Sequence, residues 1–134
     1  MLPKIYCQRY QEFKQVLEQM QQTVAIPSLE PPRLQQTLLE VQQFFQQIVR
    51  SLNIDDLEPQ DRAQVQSCQT EMSKQLHLLR MDVMFLQAAR QSETLQQRQV
   101  QISDRLQILI GYCEALLGGR EQGEQGELGV PSGD

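Results

Sequence analysis

Between Gln60 and Ile110 the chain runs for fifty-one residues without a glycine or a proline, the two residues that most readily end a helix. Within it Val65, Cys68, Met72, Leu76, Leu79, Val83 and Leu86 recur at steps of three or four. Further on, Leu95, Ile102, Leu109 and Leu116 recur every seven residues, with Leu106 and Cys113 between them. Both are the periods of a helix that buries one stripe. Carried on to Leu117, the stretch reads in two ways. A break near Ala88–Thr94 gives two antiparallel helices, with Ser92 or Thr94 as the new cap and Gln97 completing a capping box behind Thr94. Without a break it is one rod of about fifty-eight residues, roughly 87 Å long at 1.5 Å per residue.

The upstream chain supplies two more helices. The first starts at Leu2 or Pro3 and carries Tyr6, Tyr10, Phe13, Leu17, Met20 and Val24 on one face, with the tyrosine hydroxyls expected at its wet edge. Ala25–Pro31 interrupts it with Pro27 and Pro31, and Pro32 suits the first turn of the next helix. That helix, Pro32 to Leu52, repeats the pattern at Leu34, Leu38, Val41, Phe45, Ile48 and Leu52, while Leu39, Phe44 and Val49 widen its apolar side. Asn53–Pro59 is a second turn, in which Asp55 and Asp56 suit a helix amino terminus. The third helix is expected over Pro59–Gln91 and the last from Leu95 to Leu117, where Gly111 either permits a close contact or loosens the end. The expected fold is all-α: an elongated antiparallel bundle of four helices, or of three with one very long. Residues 1–117 make the bundle domain, and 118–134, acidic and Gly-rich, are expected to be a disordered tail.

Composition narrows the function classes. Twenty-six glutamines give a polar surface that carries little charge. The net charge is −5, and the tail holds Glu121, Glu124, Glu127 and Asp134 against Arg120 alone. No concentrated basic stripe is available for a phosphate backbone, which argues against nucleic acid as a partner. No run approaches the length of a membrane span, and no secretory leader is expected ahead of Cys7. Cys7, Cys68 and Cys113 are an odd, scattered set that reads as reduced core thiols of a cytoplasmic protein. His77 is the only histidine, and no phosphate loop, HExxH helix or nucleophile elbow is present. Asp55 and Asp56 lack the spacing of a calcium loop. The expectation is a protein without enzymatic activity, cofactor or metal.

One patch exceeds what a core requires. In the third helix Leu78, Met81, Phe85 and Ala88 form a second apolar line offset from the first, with Met84 nearby. A second line needs a second neighbour: another helix of the chain, a second copy, or a different protein. His77, Leu78, Arg80, Met81, Met84 and Phe85 are therefore the candidate contact residues, the apolar ones as anchors and His77 and Arg80 at the rim. A homodimer that buries Leu78, Met81 or Phe85 is the expected assembly.

The opening MLPKIYCQRYQEF, the segment LLEVQQFFQQIVRSLNIDDL and the later DVMFLQAARQSETLQQR together resemble the PatD-like family of small cyanobacterial developmental regulators. The resemblance covers about residues 1–117 and includes no catalytic motif. It implies a cytoplasmic regulator of heterocyst frequency that contacts the tubulin-like division protein FtsZ and modulates its assembly. It assigns no contact residue. A helical adaptor or structural subunit of an unrelated complex is the alternative.

Overall fold

A computed structural model describes residues 2–27 and 29–118, and the acidic tail beyond Gly118 lies outside the described residues. Four helices follow one another: α1 (Lys4–Val24), α2 (Pro31–Ser51), α3 (Pro59–Ala88) and α4 (Ser92–Leu116). The four-helix alternative is the observed one, with no strand among the described residues. A short 3-10 turn, Ile54–Asp56, joins α2 to α3, and Asn53 caps it by accepting from the Asp55 amide at 3.0 Å. Asp55 and Asp56 thus belong to this turn, and Asp61 is the acid in the first turn of α3.

The break between α3 and α4 is Ala89–Gln91. Ala89 and Gln91 are extended, with ψ of 136° and 142°, and no glycine or proline enforces the bend. Gln91 holds the cap position without a side-chain bond, so neither Ser92 nor Thr94 caps α4. The physical reason for the fold-back lies downstream: Ile102, Leu106, Leu109 and Cys113 are fully buried, which a straight rod would have left in solvent.

Side-chain contacts fix an up-down-up-down order. Phe13 of α1 meets Phe44 and Phe45 of α2 with ring centroids 5.9 and 5.8 Å apart. Gln21 donates to the Ser103 carbonyl at 3.2 Å and to Gln107 at 3.1 Å, and Lys14 pairs with Glu114 at 3.2 Å, joining α1 to α4. Arg105 of α4 reaches Asp82 and Gln75 of α3. The α2–α3 pair meets least closely, and an open groove of about 840 Å³ lies between Phe45 and Val49 on one side and Ala63, Ser67 and Thr70 on the other.

The core follows the sequence seams closely, although Leu52 and Cys68 are only half-buried. Leu95, the first residue of the seven-residue repeat, is 36% exposed and lines an open cavity at the bundle end with Leu29, Leu34 and Leu86. Tyr10 is wholly buried, and its hydroxyl accepts from Gln69 at 2.9 Å instead of reaching a wet edge. On α2 only Phe44 of the widening residues is used; Leu39 and Val49 are exposed.

Candidate contact surface

Helix α3 has two different faces. Val65, Met72, Leu76, Leu79, Val83 and Leu86 point into the core and are buried. The opposite side carries the second apolar line, which among the described residues stays partly open to solvent. Met81 is 38%, Met84 60% and Phe85 46% exposed, Leu78 is half-buried, and His77 and Arg80 are exposed. The structure thus brings all six predicted contact residues onto three consecutive turns of one helix, from His77 to Phe85. Their spacing explains the placement: with the buried stripe turned inward, residues midway between its members must face out.

Phe85 is the best-held member. The guanidinium carbon of Arg98, from α4, lies 4.8 Å from its ring centroid, a cation–π contact that fixes both side chains at the surface. Beneath the ridge, Asp82 is the one acid in this part of α3. It is buried and accepts from Arg105 at 2.9 Å. Asp82 interrupts the apolar run Leu76–Ala89 and was not among the predicted contact residues. An acid inside such a run was the available signal that a cation from another helix must meet it.

Chemistry elsewhere is sparse. Burial pushes the Cys113 thiol up to about 12 and raises Cys68 as well, so both are poor nucleophiles at neutral pH. Burial also pushes Tyr10 up to about 12, against the lowering effect of its bond from Gln69. The three cysteines are free. Among the described residues no group of three His, Cys, Asp or Glu side chains is placed to hold a metal, and no helix is long and apolar enough to cross a membrane. At the end of the bundle where α1 leads into α2 and α3 into α4, Leu29, Leu34, Leu86 and Leu95 line a cavity of about 520 Å³ rimmed by Gln87, Gln96 and Gln99. It was not legible in the sequence, because it is formed by the ends of four separate segments.

Residues 46–112, half of the chain, match the family model described as the CRR41 C-terminal domain. The matched stretch opens near the end of α2, takes in all of α3 and most of α4, and contains the whole outer ridge. No curated protein and no solved structure matches the chain.

Proposed function

The chain belongs to the family of the CRR41 C-terminal domain, and from that premise we propose that it is a non-enzymatic regulator that works by contact through the outer face of α3. The observation that carries this is the exposure of Met81, Met84 and Phe85 along a helix whose other side buries Val65, Met72, Leu76, Leu79, Val83 and Leu86. Three large apolar side chains on adjacent turns lose hydration cost when a partner covers them, and they suit the anchor positions of an interface. The family match names no partner. The resemblance to PatD-like proteins does, and on it FtsZ is the proposed partner, its assembly the proposed target, and heterocyst frequency in a cyanobacterial cytoplasm the process adjusted.

The test is assembly of purified FtsZ followed by sedimentation, with the native chain and with Met81→Glu/Phe85→Glu. The native chain is expected to change the polymer yield and the double variant to lose that effect while keeping its helicity. No binding and no change in yield from the native chain would leave the adaptor alternative in its place. A second reading uses the same ridge for a homodimer, favoured by its length of three turns. It requires a dimer mass by light scattering that the double variant reduces to monomer.

A further inference from the structure

We infer that the outer face of α3 takes an acidic segment of a partner protein, one that seats apolar side chains between Met81 and Phe85. This rests on the contact reading above and adds the partner's chemistry. From Ser73 to Gln91 the cations are Lys74, Arg80 and Arg90, all exposed, and the only acid is Asp82. Asp82 is 6% exposed and already paired with Arg105, so it offers nothing to a partner and offsets none of the three. Arg98 adds a fourth cation directly over Phe85. The stretch is therefore apolar at its centre and carries an excess of exposed cations, with Glu71 and Glu93 just beyond its two ends, in a chain whose net charge is −5.

That pattern discriminates between occupants. A two-fold dimer sets the same patch against itself, so Lys74, Arg80, Arg90 and Arg98 would approach the identical set on the second copy. An acidic segment meets the same cations with opposite charge, and its apolar residues cover the methionines and the ring. The chain's own residues beyond Gly118 include Glu121, Glu124 and Glu127 and are the natural competitor.

The experiment follows the methionine methyl resonances of the full chain by NMR, with the buried Met20 and Met72 as internal controls. The probe is a short synthetic helical peptide with leucines three and four residues apart and glutamates beside them; its counterpart has lysines for the glutamates. Met81 and Met84 are expected to shift with the glutamate peptide while Met20 and Met72 stay. The lysine peptide should bind about tenfold more weakly or less, and Lys74→Glu/Arg80→Glu should cost the glutamate peptide a similar factor at unchanged helicity. Equal binding of both peptides, or of neither, overturns the inference. So do Met81 and Met84 shifts that follow protein concentration alone (a second copy), Glu121→Gln/Glu124→Gln/Glu127→Gln alone (the chain's own segment), or anionic phosphatidylglycerol vesicles in place of the peptide. If the Met81→Glu/Phe85→Glu variant still abolishes FtsZ binding or dimerisation in those cases, the contact reading stands and only the acidic-partner inference falls.

Discussion

Arg105 Nε donates to Asp82 Oδ2 at 2.9 Å, and its Nη1 donates to Gln75 Oε1 at 3.1 Å, so one side chain of α4 spans two turns of α3. The Asp82 side chain is 8% exposed and that of Arg105 23%. A pair buried this far has lost most of its hydration on both sides. Its geometry, more than its net energy, sets how α4 lies on α3.

Arg105→Met is expected to destabilise the fold by about 2–4 kcal/mol, because it leaves the Asp82 carboxylate buried without its cation. The double variant Asp82→Leu/Arg105→Met should recover much of that loss, since an apolar pair of similar size carries no desolvation cost. Urea unfolding followed by circular dichroism measures both. A double variant no more stable than the single one would show that the two residues do not act as a pair.

Gly111 lies inside α4, exposed, and a Cβ built there meets nothing within 4 Å. It therefore permits no close helix contact, and Gly111→Ala is expected to stabilise the protein by about 0.5–1 kcal/mol through helix propensity. A rise in the thermal midpoint checks this.

Alkaline pH should weaken the fold through two buried groups. Cys113 and Tyr10 have folded values of about 12, above ordinary values of 9.0 and 10.0, and burial is the main cause for each. Both hold their protons more tightly when folded than unfolded. Their contribution is complete below the ordinary value and is lost as pH rises through the folded one. The window therefore opens near pH 9 for Cys113 and near pH 10 for Tyr10 and closes near pH 12. Within it each group lowers stability by up to about 1.4 kcal/mol per pH unit. Stability measured from pH 8 to 11 should fall, and Tyr10→Phe should make the fall shallower above pH 10.

Phe13 stacks on Phe44 with planes 6° apart, tilts against Phe45, and is wholly buried. Phe13→Ala is expected to cost about 3–5 kcal/mol, since the cavity opens between two helices that cannot collapse onto it. Chemical denaturation reads the loss directly.

The seams of all four helices could be read from the chain because each buried residue recurs at three or four, whatever its neighbours are. Tyr6, Phe13, Leu34, Val65 and Leu109 all stand where their spacing puts them. The ridge at Met81 and Phe85 was legible for the same reason. What could not be read depends on residues far apart in the chain. Arg105 meets Asp82 only after α4 has folded back, and Gln99 finds the Val24 carbonyl from seventy-five residues away. The excess of exposed cations from Ser73 to Gln91 was hidden too, because the overall acidity masks it until Asp82 is known to be buried.

Ala89, Arg90 and Gln91 are all residues that a helix accepts, so local stereochemistry does not oblige the chain to leave helix there. Whether this region is a closed hairpin or a continuous rod is decided by the fit of Leu106, Leu109 and Cys113 against α1 and α3, with Arg105 as the latch. Loosening that fit removes the only reason for the bend. The strength of tertiary packing, not the chemistry of the turn, therefore governs the length of the molecule.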